Sequence, residues 1–165
     1  LTIRGAFPVF KYEQTDARLI GFDLAATYRA TERINITGKY SYLDGYDITN
    51  ALPLVYMPSN NIYATLNYQI PNLGKFQNVG FQINGRYVFE QKNLLPSQDF
   101  IAPPASYFLV GLKVSAEKQW RALRSSVFIR IENLLNETYR DYLNRQRYFA
   151  DDLGFNMIVG INISF

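Results

Sequence analysis

The polar segment before the last apolar stretch, residues 136–154, gathers the side chains best suited to hold a ligand. Arginine offers two parallel hydrogen bonds to a carboxylate or a phosphate, and tyrosine adds a flat ring and a hydroxyl. The residues predicted on this basis to bind an anionic ligand are Arg140, Arg145, Arg147 and Tyr148. The segment also contains aspartates. The alternative to ligand binding is therefore that these arginines and aspartates form ion pairs and cap turns within the segment, and both interpretations stay open.

The chain contains no cysteine and no histidine. These absences exclude disulfides, thiolate or histidine metal sites, and Ser-His-Asp or Cys-His catalysis within these residues. Asp47, Asn50 and Asp99 carry ligand oxygens, but their spacing matches no calcium-loop pattern. No metal site and no cofactor is predicted.

The charged residues also argue against two broad function classes. No pair of acidic residues converges in the way that glycoside hydrolysis requires, and the chain is not predicted to be an enzyme. The formal charge of +3 is small and spread along the chain, with no basic stripe. No nucleic-acid partner is predicted.

The final segment, residues 155–165, alternates apolar residues with small or polar ones, which is the period of a strand with one apolar face. Its length is that of a tilted transmembrane strand, roughly 9 to 11 residues, and it ends on the aromatic Phe165. We therefore expect the closing strand of an outer-membrane β-barrel, with the apolar face toward lipid.

Earlier segments alternate in the same way, near residues 9–29, 34–42, 61–70, 79–90, 107–116 and 126–132. Short turns between them alternate with long polar loops at residues 44–60, 91–104 and 136–154. Outer-membrane barrels have short periplasmic turns and long extracellular loops, so these three loops are predicted to be extracellular.

The two faces of these strands differ in polarity. The apolar faces end in tyrosine and phenylalanine, as interfacial girdles do, and aromatics make up 16% of the chain. The opposite faces are too polar for a dry core but suit a wet lumen; they include Lys39, Arg86, Lys113, Arg130 and Glu132. A soluble lipocalin-like barrel or a sandwich would also alternate, and it remains an alternative.

Seven strands are fewer than the eight or more of single-chain bacterial barrels. Either residues 1–12 supply an eighth strand, or the chain is the carboxyl-terminal part of a larger barrel.

Several segments, in order along most of the chain, resemble TonB-dependent outer-membrane receptors. Residues 131–145 (IENLLNETYRDYLNR) are similar to the family's "(D/E)NLF(N/D)KxYRDHLSR", and Gly154-Phe155-Asn156 to its "PGRN" turn. Residues 14–23, 40–45 and 58–61 resemble its "ARxxGxE" strand and its "YSYLDG" and "PPNR" pieces. Tyr142 stands where the family often has histidine. Members that take up zinc or haem often use histidines of the loops, and this chain contains none, which modestly disfavours those two substrates.

This resemblance implies an all-β transmembrane antiparallel barrel of roughly 22 strands, of which residues 1–165 are the last seven or so, with the plug domain and earlier strands absent. It implies a multi-pass protein of the Gram-negative outer membrane that binds a scarce nutrient, such as an iron chelate or siderophore, at its extracellular loops. Import would use energy from the TonB complex, through the plug. A passive porin or small structural barrel in the same membrane is the alternative.

The resemblance also assigns a role to the last strand. Ile161, Ile163 and Phe165 would be the signal that the barrel-assembly machinery reads, although Phe165 is also suited to an interfacial girdle. The predicted partners are therefore the TonB complex, the assembly machinery, outer-membrane lipid, and a small-molecule or metal-chelate substrate.

Overall fold

The computed structural model of this chain describes residue 9, residues 13–120 and residues 123–164. These residues form one antiparallel sheet, which confirms the predicted all-β class. None of the helices in the described residues is long and apolar enough to cross a membrane.

The sheet contains eight strands within the described residues: β1 (Ala17–Arg29), β2 (Ile34–Asp47), β3 (Leu52–Pro53), β4 (Asn61–Leu73), β5 (Phe76–Val88), β6 (Tyr107–Trp120), β7 (Leu123–Glu132) and β8 (Asn156–Ser164). Short 3₁₀ helices lie at Pro96–Gln98 and Arg145–Tyr148. The seven long strands are a meander in the order β1-β2-β4-β5-β6-β7-β8, and β3 pairs with the end of β2. Over the described part of the chain, β1 and β8 make no contact with each other.

Some strand ends differ from the prediction. The first strand starts at Ala17 rather than at residue 9, because its partner β2 ends at Asp47, opposite Ala17. β2 continues through the start of the predicted loop 44–60, since β3 folds back to pair with Tyr46 and Asp47. Of the predicted eighth strand, residues 1–12, only Val9 lies within the described residues, and it is not in a strand.

The predicted strands 107–116 and 126–132 are also longer than expected on the sides that face each other along the chain. β6 runs to Trp120, which pairs with Leu123 at the start of β7, so the two strands form a tight hairpin whose tip lies outside the described residues. The turn between β4 and β5 is equally short. Gly74 occupies it with φ +60, a left-handed conformation that glycine adopts without steric cost.

The register sorts the side chains onto two faces as predicted. On one face of the sheet, apolar side chains of neighbouring strands lie opposite each other. Phe22 of β1 pairs with Tyr42 of β2, and Leu66 of β4 pairs with Ile36 of β2 and with Ile83 of β5. We call this the apolar face. The residues between them in sequence form the polar face, where Asn67 pairs with Asn35 and with Gln82.

The apolar face is left exposed, which is the reverse of a soluble domain. Leu24 is 60% exposed and Val159 62%. The few buried apolar side chains of the described residues are Val79, Val88, Tyr107 and Tyr142. Contiguous exposed apolar surface of this kind marks a membrane or protein interface, and it contradicts the soluble-barrel alternative.

Candidate functional site

Three long connections lie at the same end of the sheet, which we call the loop end. They are the first loop (residues 48–60), the second loop (89–106) and the third loop (133–155). The opposite end carries the short hairpin turns. This alternation agrees with the predicted arrangement of long loops on one side.

The base of the third loop is held by Asn133, which is buried and has φ 49. Its Oδ1 accepts from the Glu137 N–H at 2.8 Å, and its Nδ2 donates to the carbonyls of Glu137 (2.8 Å) and Leu153 (3.2 Å). One side chain therefore ties both ends of the loop together. A second asparagine, Asn136, accepts from the Phe155 N–H at 2.9 Å and starts β8 in register.

Gly154 leaves space for the Asn136 side chain in the same arrangement. A Cβ atom at this position would lie 2.6 Å from Oδ1 of Asn136. The asparagines and the glycine of the 131–156 signature are thus explained by the turn that brings β8 back beside β7.

The third loop packs onto the polar face rather than away from the sheet. The Tyr107 hydroxyl of β6 donates to Oδ2 of Asp141 at 2.8 Å. Asp152 accepts from the Asp141 N–H (2.7 Å) and from Nδ2 of Asn144 (2.8 Å). The loop is therefore anchored over the polar side of the sheet at the loop end.

Arg147 is the centre of the loop packing. It is fully buried and forms an ion pair with Asp99 of the second loop, whose side chain is 3% exposed. Its guanidinium carbon lies 4.8 Å from the ring centre of Tyr142 and 4.6 Å from that of Tyr148. Nε and Nη1 of Arg147 have no hydrogen-bond partner within the described residues.

A chain of tyrosines joins the first loop to this pair. Tyr148 donates to Oδ1 of Asp99 at 2.6 Å, and its oxygen lies 2.9 Å from the hydroxyl of Tyr56 in the first loop. The Tyr56 N–H donates to the hydroxyl of Tyr142 at 3.3 Å. We call Tyr56, Asp99, Tyr142, Arg147 and Tyr148 the loop cluster; it connects all three loops.

The loop cluster perturbs its own tyrosines. Burial, together with the hydrogen bonds to Asp99 and Tyr56, raises the pKa of Tyr148 far above its ordinary value. Burial also raises the pKa of Tyr142, and the nearby Asp99 charge adds to this effect. Both tyrosines are held in the neutral form, in which Tyr148 donates its hydrogen bond to Asp99.

The four residues predicted to bind a ligand have different surroundings. Arg140 donates from Nε to Asp151 at 2.5 Å and from Nη1 to the Arg147 carbonyl at 2.9 Å. Arg147 and Tyr148 belong to the loop cluster, and all four residues interact with other groups of the loops. Arg145 is exposed, with its guanidinium carbon 5.5 Å from the ring centre of Tyr56. Ligand binding by this set stays a prediction.

Sequence reasoning missed the part played by Asp99 and Tyr56. The sequence indicates for Asp99 only an oxygen that could bind a cation, and Asp99 lies 48 positions from Arg147 along the chain. Asp47 and Asn50 form a local turn instead, in which Asp47 Oδ1 accepts from the Asn50 N–H at 2.9 Å. No group of three or more potential metal-ligating side chains occurs among the described residues.

The predicted assembly signal lies on the last strand. Ile161 and Ile163 are on the apolar face of β8, 61% and 55% exposed, where they pair with Val127 and Ser125. Phe165 lies outside the described residues. The assembly role of these residues stays a prediction.

A depression of about 420 Å³ opens on the polar face beneath the third loop. Its wall contains three cationic side chains, Arg86, Lys113 and Arg130, and its rim includes Tyr139 and Leu153 of the third loop. The sequence placed these cations on the polar side but did not indicate that they share one depression.

Comparison with known proteins identifies a family and several solved structures. Residues 2–134 match the family described as TonB dependent receptor-like, beta-barrel. One of the similar solved structures is that of the protein named "Copper transporter OprC"; the two chains are 18% identical and superpose with a TM-score of 0.74 over 92% of this chain and 24% of that one. The chain thus spans about a quarter of the length of that structure. No curated protein sequence matches.

Proposed function

The chain belongs to the family of TonB-dependent receptor β-barrels, and from this premise we propose that it is the carboxyl-terminal part of an active-transport receptor. Members of this family are multi-pass β-barrels of the Gram-negative outer membrane and are transporters rather than enzymes. The predicted location and the absence of enzymatic activity therefore agree with the family.

In this proposal residues 1–165 are the last seven or so strands of a barrel of about 22. The earlier strands and the plug domain belong to sequence outside this chain. Two strand edges support this proposal. No other described strand pairs with the outer edge of β1 or of β8, and an open strand edge in lipid leaves backbone groups without hydrogen-bond partners.

The proposed substrate is a scarce nutrient, an iron chelate or siderophore or a similar metal complex, bound first at the three loops. The carrying observation is the loop cluster, which joins all three loops over the polar face and so forms one surface at the mouth of the lumen. Arg145 is the member of the predicted set best placed to meet a ligand, because it is exposed. Arg140, Arg147 and Tyr148 would support that surface.

The proposed partners follow from the same family membership and from the two faces of the sheet. The TonB complex would act through the plug domain, the assembly machinery would read Ile161, Ile163 and Phe165, and lipid would cover the apolar face. Because the similar solved structure is named as a copper transporter, a copper complex is a second candidate substrate.

The experiment is growth under metal limitation. The growth of a strain lacking the full-length receptor is compared with that of its parent in iron-depleted medium and in copper-depleted medium. The same comparison is then made in strains that also lack TonB. We expect a growth defect in one medium, restored by the full-length gene only when TonB is present. Uptake that persists without TonB would favour a passive porin.

A further inference from the structure

We propose that the depression beneath the third loop is a subsite for a small polyanion, formed by Arg86, Lys113 and Arg130. The inference rests on the proposed function in one respect: the polar face must line the lumen through which a substrate passes. It adds the chemical class of the molecule that this wall would hold, one with two or more carboxylate or phosphate groups.

The strand register brings these cations together. Lys113 of β6 and Arg130 of β7 are directly opposite each other on the polar face. Arg86 of β5 lies four residues along its strand from Gln82, the other neighbour of Lys113, which corresponds to roughly 13 Å. Three long cationic side chains at this spacing, all lining one depression, can reach separate anionic groups of one molecule.

Lys113 and Arg130 repel each other, because like charges directly opposite in a sheet are destabilising unless a negative charge lies nearby. Arg130 has a partner in Glu132, with Nε and Oε1 3.3 Å apart. Lys113 instead has its ammonium 5.5 Å from the ring centre of Phe128. Neither Lys113 nor Arg86 forms an ion pair with any carboxylate of the described residues.

The nearby acids of the third loop do not fill this role. Asp141 and Asp152 are occupied by Tyr107, Asn144 and backbone N–H groups of the loop itself. Among the residues that line the depression, one carboxylate, that of Glu132, stands against three cations, so the lining itself carries an excess of positive charge.

Neutral hydrogen-bonding groups complete the wall. Gln82, Asn84, Tyr63 and Tyr139, whose side chains carry amide or hydroxyl groups, line the same depression. Its volume of about 420 Å³ is in the range of small-molecule sites, roughly 300 to 1,000 Å³. A concave site of this size beneath the loops fits a small ligand better than the broad surface of a protein domain.

The test uses the full-length receptor, purified in detergent, and two probes, citrate and inorganic pyrophosphate, titrated by calorimetry. Arg86→Gln and Lys113→Gln should each weaken the binding of at least one probe by about tenfold or more, because each removes a charged contact. Glu132→Gln should tighten binding, since it frees Arg130. Citrate alone binding would identify a carboxylate site, and pyrophosphate alone a phosphate site.

Arg124→Gln is the matched control. Arg124 lies on the same face of β7 at the turn end, opposite Ser164, and does not line the depression. Its replacement removes the same charge and should leave binding unchanged. An equal loss in this control would show general electrostatic attraction and overturn the subsite.

Two further outcomes would overturn the proposal. One is unchanged binding of both probes in Arg86→Gln and Lys113→Gln. The other is a lower melting temperature of these variants with no loss of probe affinity, which would show that the cations pair with an acidic surface elsewhere in the receptor. TonB-independent growth would instead refute the proposed function and leave the subsite standing.

Discussion

At the scale of single residues, Arg147 is the side chain on which the loop end depends most. A fully buried guanidinium is tolerated because Asp99 neutralises it and two tyrosine rings cover it. Such a buried ion pair adds little to the net free energy of folding, because the cost of removing both charges from water is about as large as the free energy gained from their attraction. Its main contribution is to fix one arrangement of the loops. Removing one partner is far more costly, because the other charge stays buried.

Arg147→Met is therefore expected to destabilise the closed loops by about 3 to 5 kcal/mol. Amide hydrogen exchange in residues 142–149 of the full-length receptor should become at least about a hundredfold faster. Lys92→Met, at an exposed position of the second loop, is the control and should have no effect. Adding Asp99→Leu to Arg147→Met should restore much of the loss; exchange at the parental rate in the single variant would contradict this role.

The tyrosines of the loop cluster predict a dependence on alkaline pH. The pKa of Tyr148 is raised in the folded loops, mainly by burial. Opened loops would lose this proton near the ordinary pKa of about 10, so the stabilising effect is complete below that pH and is lost as the pH rises above it. Protease cleavage of the loops should therefore accelerate above pH 10.

Ultraviolet difference spectra between the parent and Tyr148→Phe isolate the titration of this one hydroxyl. The tyrosinate band of Tyr148 should develop above pH 10 and in step with loop cleavage. A midpoint at the ordinary value, with cleavage unaffected, would show that the buried hydrogen bond to Asp99 does not hold the proton.

At the scale of the strands, the fold depends on keeping two faces distinct. β7 shows this well, because Val127 and Ile129 lie on the apolar face and Ser126 and Arg130 on the polar one. Phe128 is an exception on the polar face, where its ring lies across Gly160 of β8 and fills the space that the glycine leaves. The alternation itself is what a bilayer on one side and a wet lumen on the other require.

Ile129→Arg should consequently impair folding into a bilayer by roughly 2 to 4 kcal/mol, because it places a charge on the lipid side. Ser126→Arg, three residues earlier on the opposite face, should be tolerated. The measurement is the free energy of reversible folding of the full-length barrel into lipid vesicles. Equal losses in both variants would show that the faces are assigned the wrong way round.

At the scale of the whole molecule, the described sheet has no closing contact between β1 and β8. Closure removes strand edges in every transmembrane barrel, so we expect further strands, in addition to the described ones, to complete this barrel. The native polypeptide recovered from purified outer membranes should have an intact mass several times the 19.1 kDa of this chain. A native mass near 19 kDa would leave no place for a plug and would favour a small barrel closed by residues 1–12.

The strands, their faces and the long loops were predictable because each depends on the spacing of side chains along the chain. The predicted strand ends were less accurate, since an end depends on where the partner strand stops, as at Ala17 and Asp47. Asn133 and Gly154 lie in segments that resemble the family, but the sequence assigned them no role; the structure shows that Asn133 ties the two ends of the third loop and that Gly154 leaves room for the Asn136 side chain.

The loop cluster and the cationic depression had no signal in local spacing. Arg147 and Asp99 are 48 positions apart, and Lys113 meets Arg130 only through the hairpin register of β6 and β7. Pairing of this kind depends on how strands are aligned and how loops fold over them, and these are settled by the packing of distant segments. The sequence alone was therefore sufficient to predict a sheet with one apolar and one polar face. The tertiary structure decided which side chains meet in the depression of the polar face and in the loop cluster above it.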